Sequence, residues 1–138
     1  MTSRLNPYLS FRDTARGAMA FYRTVFGGTL EVTTFGDFKM AQNPAETDKI
    51  MHSMLTAPNG FVLMGSDTPG HMDFKPGNTM TVSLSGDDEA ELRGYWNKLA
   101  DGGAISFPLD KAPWGDSFGM LTDKFGTPWM VNITAQKP

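Results

Sequence analysis

The 138-residue chain contains no cysteine, which closes off disulfides, thiolate catalysis and Cys-ligated metals. It has only two histidines, His52 and His71. No apolar stretch approaches the roughly 20 residues that a membrane span requires. The opening Met1-Thr2-Ser3-Arg4-Leu5 leads into no signal-like hydrophobic run, so no membrane partner and a cytoplasmic location are expected. Positive charge is also scarce. Twelve basic residues stand against 15 acidic ones for a net charge of −3, and no Lys/Arg stripe marks a nucleic-acid binder. No G-x-S-x-G, P-loop or strand-linked G-x-G-x-x-G motif occurs.

What is present suits one folded domain. A hydrophobic fraction of 40% and a charged fraction of 20% are those of an ordinary globular chain, long enough to bury a core without staples. The 10 methionines are many for this length. Met fills cores and also lines adaptable apolar pockets, and core filling is the expectation for most of them.

Residues 6–11 alternate, with Pro7, Leu9 and Phe11 on one side and Asn6, Tyr8 and Ser10 on the other, as in a half-buried strand. Asp13 or Thr14 is placed to cap a helix in which Ala18, Phe21, Tyr22 and Val25 form one apolar stripe before Gly27-Gly28 stops it. Residues 30–35, 49–56 and 61–66 then read as three strands, the last two joined by Ala57-Pro58-Asn59-Gly60. Residues 38–48 read as a loop.

After a stretch rich in Pro, Gly and Asp (residues 67–77), the plan repeats. Thr79, Thr81 and Ser83 alternate with Met80, Val82 and Leu84. Asp87 or Asp88 caps a second helix with its stripe at Leu92, Tyr95, Trp96 and Leu99, stopped by Gly102-Gly103. Residues 104–107, 117–122 and 128–134 complete the strands. Phe21-Tyr22 before Gly27-Gly28 is answered by Tyr95-Trp96 before Gly102-Gly103, about 75 residues later, so the chain is an internal duplication. The expectation is an α+β chain, a single domain over 1–138, of two βαβββ modules at about 5–67 and about 78–135.

Two βαβββ modules, together with the strings NPYLSF, AFYRTVFGG, IMHSML, VLMGSD, LADGG and above all APWGDSFGMLTDKFGTPWMVN, resemble the PhnB-like group of the vicinal oxygen chelate superfamily. That superfamily includes glyoxalase I, extradiol dioxygenases and bleomycin resistance proteins. The resemblance covers nearly the whole chain. It implies mixed sheets forming a half-open barrel around a cleft, with the helices outside, and pairing into a homodimer. In that frame Leu9, Phe11, Met80, Val82 and Leu84 pack under the helices, and Asn6, Tyr8, Ser10, Thr79, Thr81 and Ser83 face the cleft.

The resemblance further implies a divalent metal held by His, Gln or Glu at one position on each of four strands. Those positions fall at residues 6–8, near Thr79, at Met130 with Asn132 next on its face, and along residues 61–66. They supply no His or Glu, so a metal cofactor is not expected.

The remaining candidates are weighed singly. His52, within IMHSML, is either a ligand-binding or proton-transferring residue or a hydrogen-bonded structural one. His71 lies in a loop and is expected to be solvent-exposed. Tyr8 is a candidate acid or orienting donor. Trp114, between two strands, suits a pocket wall and a structural role equally, whereas Trp129 suits strand packing, as Tyr22 and Tyr95 suit helix stripes. Asp67 and Asp123 sit at turns, where a carboxylate commonly binds backbone N–H groups. The candidate ligand-binding set is Tyr8, Ser10, His52, Thr79, Thr81, Trp114 and Met130, with His52 and Tyr8 as catalytic candidates. The expected function is metal-independent binding or sequestration of a small molecule. The alternative is an enzyme of the glyoxalase superfamily, working through a displaced metal or by acid–base chemistry. A methyltransferase role is disfavoured, because such a chain would carry a glycine-rich loop after its first strand.

Overall fold

In the computed structural model, residues 3–135 are described; Met1 and Thr2, on which part of the N-terminal reading rests, lie outside them. The chain divides into two compact units, one up to Pro76 and one from Gly77 onward. Each contains one βαβββ module.

In the first unit β1 (Tyr8–Phe11) leads into α1 (Ala15–Phe26), followed by β2 (Thr29–Thr34), β3 (Ile50–Thr56) and β4 (Val62–Asp67). The strand order is β1-β4-β3-β2, with β1 parallel to β4 and the other pairs antiparallel. The loop expected after β2 contains two short 3₁₀ turns, Gly36–Phe38 and Pro44–Glu46.

The buried stripe of α1 is Ala15, Ala18, Met19, Tyr22, Val25 and Phe26. Phe21, expected in that stripe, is only half-buried. The helix start also differs from expectation. Thr14 makes no side-chain cap, and the Asp13 carboxylate instead pairs with Lys49 at 2.6 Å. That hydrogen bond is the main reason the Lys49 ammonium titrates above its ordinary value. The cap comes from the far end of the module. Asp67 Oδ1 accepts from the backbone N–H of Ala15 at 2.9 Å, and Oδ2 accepts from that of Ile50 at 3.0 Å. A buried carboxylate thereby ties α1 to β3 and β4 while satisfying an N–H that the helix itself leaves open.

The second unit repeats the plan with β5 (Val82–Gly86), α2 (Glu89–Ala100), β6 (Ala104–Lys111), β7 (Ser117–Thr122) and β8 (Pro128–Ile133), in the order β5-β8-β7-β6. Asp88 is the residue that caps α2, accepting from the N–H of Glu91. Leu92, Trp96 and Leu99 are its buried residues. Tyr95 is half-buried, and its hydroxyl donates to Glu91. β5 begins later than expected, so Thr79 and Thr81 lie in irregular chain ahead of it. Met80, expected beneath the helix, is 78% exposed.

Glycines identify the helix-facing side of each sheet. A Cβ on Gly65 of β4 would lie 3.0 Å from Met19 Sδ, and one on Gly119 of β7 would lie 2.7 Å from the Trp96 ring and 2.8 Å from Leu109 Cα. These positions are left empty of side chain so that helix side chains can seat directly on the sheet. Leu9, Gly65 and Ser53 are cross-strand partners on this side of the first sheet, as are Leu84, Val131 and Gly119 in the second. Trp129, Val131 and Ile133 are buried on the same side, so Trp129 has its expected packing role.

Methionine does not fill the cores. Among the described residues only Met19 is a buried core methionine. Met54, Met64, Met120 and Met130 are half-buried, and they alternate with helix-facing neighbours on the other side of the sheets.

Candidate functional site

Strand side chains alternate between faces, and directly paired residues share one. Once Gly65 and Gly119 mark the helix side, the register therefore assigns the opposite, open face of each sheet. In the first unit one open row runs Tyr8, Met64, Met54, Glu31, and the next carries Ser10, Ser66, His52 and Thr33. In the second unit the rows are Ser83, Met130, Met120, Phe107 and Ser85, Asn132, Phe118, Asp110. The duplication thus sets a methionine pair at the centre of each open face, Met54 with Met64 and Met120 with Met130.

On the first face the phenol oxygen of Tyr8 lies 3.3 Å from His52 Nδ1, with the two rings stacked at a centroid distance of 5.8 Å. β1 carries one and β3 the other, and β4 runs between them. The tautomer of His52 sets which partner donates. The contact engages Nδ1 and fixes the imidazole relative to a phenol. Both catalytic candidates are therefore neighbours, and Ser10 and Met130 also occupy open-face positions.

On the second face Trp114, 62% exposed, packs edge-on against Phe118 at 5.8 Å, and Phe118 packs in the same way against Phe107. Such edge-to-face contacts hold aromatic rings in defined orientations. Beside them, Asp116 Oδ2 accepts from the Asn132 amide and Oδ1 from the backbone N–H of Ala135, both at 3.0 Å. Those two donors, the Ala135 N–H first, hold the Asp116 carboxyl below its ordinary range, so it is ionised at neutral pH.

Not every candidate joins these faces. Thr79 and Thr81 precede β5, and Ser83 and Ser85 take the corresponding strand positions. His71 is exposed in the loop after β4. Asp123 stabilises its turn as expected, accepting from the N–H groups of Phe125 and Thr127 and from Trp129 Nε1. Sequence reasoning missed Asp116, Phe107, Phe118, Glu31 and the Met54–Met64 pair. Carrying the period-two alternation outward from Gly65 and Gly119 would have found the strand members.

The open-face donors along β1, β4, β5 and β8 are Tyr8, Ser10, Met64, Ser66, Ser83, Ser85, Met130 and Asn132. Hydroxyls, thioethers, a phenol and an amide are poor ligands for the divalent metals that imidazoles and carboxylates hold, so the residues at these positions do not fit the metal that the resemblance implies. Among the described residues, no three His, Asp or Glu side chains come together as a metal-holding group. No helix is long and apolar enough to cross a membrane.

Comparison with known proteins agrees with this architecture. Residues 4–131 match the model of the glyoxalase/bleomycin resistance protein/dioxygenase superfamily. Protein YjdN of Escherichia coli is 30% identical, with 97% of each chain covered. Among solved structures, protein PA1353 of Pseudomonas aeruginosa is 39% identical, covering 98% of this chain and 100% of its own, with a TM-score of 0.84. The PhnB protein of Bacillus cereus, for which a 3-demethylubiquinone-9 3-methyltransferase activity has been suggested, is 26% identical over 96% of this chain and 100% of its own, at a TM-score of 0.76.

Proposed function

The chain belongs to the glyoxalase/bleomycin resistance protein/dioxygenase superfamily, and from that membership we propose that it binds a small, partly aromatic or apolar molecule on its open sheet faces without a resident metal. The observation that carries the reading is the Tyr8–His52 contact. It sets an oriented donor–acceptor pair beside the Met54–Met64 pair on a face that the protein's own helix does not cover. Small-molecule sites combine apolar, adaptable walls with a few fixed polar groups.

The methyltransferase activity suggested for the Bacillus cereus protein is not carried over. Here β1 is followed by Arg12-Asp13-Thr14 and then α1, with no glycine-rich loop between them.

Isothermal titration against a panel of aromatic metabolites and antibiotics tests the proposal. The expected result is a binder whose affinity falls in Tyr8→Phe and His52→Ala and is unchanged by chelator. A panel without any binder, or binding that requires added divalent metal, sinks it. A second reading, an acid–base lyase or isomerase, draws on the same contact, because it presents an oriented imidazole. Turnover of the bound molecule that is lost in His52→Ala would select it, and recovery of the molecule unchanged would reject it.

A further inference from the structure

The first unit's open face ends on an arginine. β1 stops at Phe11, but its pairing with the chain after β4 runs one step further, the Thr68 N–H donating to the Phe11 carbonyl at 2.6 Å. Alternation from Tyr8 and Ser10 therefore puts Arg12 next on the open side. Its half-buried guanidinium is held by the turn after β4. One terminal nitrogen donates to the carbonyls of Pro69 and Met72, and the group lies 5.6 Å from the centroid of the Phe74 ring.

Two things are missing around it. Nε is buried without an acceptor, the one buried side-chain nitrogen or oxygen among the described residues left in that state, and such a donor is costly. Nor does a carboxylate balance the charge. Asp13 pairs with Lys49 at 2.6 Å, Asp67 is bound on the helix side by the N–H groups of Ala15 and Ile50, and Glu46 accepts from the Gly70 N–H at 2.7 Å. Asp73, exposed in the same turn, makes no ion pair with Arg12. Glu31, the carboxylate of the open rows, is on β2, three strands from β1. At roughly 14 Å or more it lies beyond the screening length of physiological salt.

A carboxylate would supply both: an oxygen for the Nε–H, and a full negative charge where two carbonyls now offer only dipoles. About 7 Å back along β1, Ser10 and Ser66 present hydroxyls in the row of His52, and Tyr8 with the Met54–Met64 pair occupies the row after that. An acid group at Arg12 thus leaves the rest of a molecule over hydroxyls, an imidazole and thioethers.

From this deficit, and resting on the small-molecule reading above, we propose that the ligand of the first open face carries a carboxylate that pairs with Arg12. Because Nε is covered, the acid group reaches it as the turn gives up its Pro69 and Met72 carbonyl contacts.

The test uses three probes on one bicyclic ring: naphthalene-2-carboxylate, its uncharged amide and 2-naphthyl phosphate. By calorimetry the carboxylate should bind about tenfold more tightly than the amide. The preference should vanish in Arg12→Gln, with folding checked by circular dichroism, and return in part in Arg12→Lys, which restores the charge without Nε. A titration of the wild type followed by NMR needs no variant. The Arg12 Nε–H resonance should shift with the carboxylate and stay in place with the amide. A carboxylate that binds no more tightly than the amide, or that binds without moving this resonance, overturns the assignment while small-molecule binding stands. A preference shown by the phosphate ester alone overturns it too. If none of the three binds, the small-molecule reading and the carboxylate assignment fall together.

Discussion

The phenol oxygen of Tyr8 lies 3.3 Å from His52 Nδ1 across an intervening strand, so a residue at the start of the first strand sets the position of an imidazole 44 residues further on. The contact is on an exposed face, so its effect should show in binding before stability.

Tyr8→Phe keeps the ring stacking and removes the hydrogen bond. Stability measured by urea denaturation should change by less than about 1 kcal/mol. Nitrogen chemical shifts of His52 should move toward a more mixed tautomer population, and affinity for any identified ligand should drop several-fold. Unchanged imidazole shifts would show that the contact does not orient the ring.

Asp67 is buried and accepts from two backbone N–H groups on different elements. Asp67→Ala leaves both donors without this partner and should cost about 3 kcal/mol in denaturant unfolding. Asp67→Asn, which keeps one acceptor oxygen, should cost less. A loss below about 0.5 kcal/mol for the alanine variant would mean that water replaces the carboxylate.

Two glycines should respond in opposite directions to the same added methyl group. Gly119→Ala would push a Cβ to 2.8 Å from the Leu109 Cα and should destabilise by about 2 kcal/mol or more, because backbone has to move. In α2, a Cβ on Gly94 meets nothing within 4 Å, and Gly94→Ala should stabilise by about 0.5–1 kcal/mol through helix propensity and reduced unfolded-state entropy. Thermal unfolding of both variants checks the pair, and equal signs would contradict the packing described.

Asp116 supplies a pH signature. Its carboxyl is held below its ordinary value of 3.8, chiefly by the Ala135 N–H and then by the Asn132 amide. Its contribution is therefore fully present above that value and is lost as the pH falls through the lower native value. Stability of the wild type should decline more steeply than that of Asp116→Asn as the pH falls through and below 3.8. Parallel acid limbs in urea titrations would show that the two hydrogen bonds do not persist in solution.

The duplication, the helix stripes and the position of most strands were legible in the linear sequence, because periodicity and stop signals act between near neighbours. Tyr22 and Trp96 stand in the buried stripes, and β7 lies at residues 117–122 as read. Where a signal depended on what lay opposite, local reasoning failed. Asp67 sits at the end of β4, and nothing near it shows that the first N–H of α1 comes within reach. The apolar character of Met54, Met64, Met120 and Met130 suggested core, but alternation counted from Gly65 and Gly119 sets them on the open faces. Thr79 and Thr81 alternate as a strand would, yet the ladder to β8 starts at Val82 paired with Trp129.

The sequence by itself thus determined that two βαβββ units would form and which residues could enter their cores, since helix and strand periods and glycine stops are properties of short segments. Only the tertiary structure decided that Tyr8 meets His52, that Asp67 caps α1 and that paired methionines lie on the open faces. Those outcomes depend on strand order and register, which bring together residues whose separation along the chain carries no local signal.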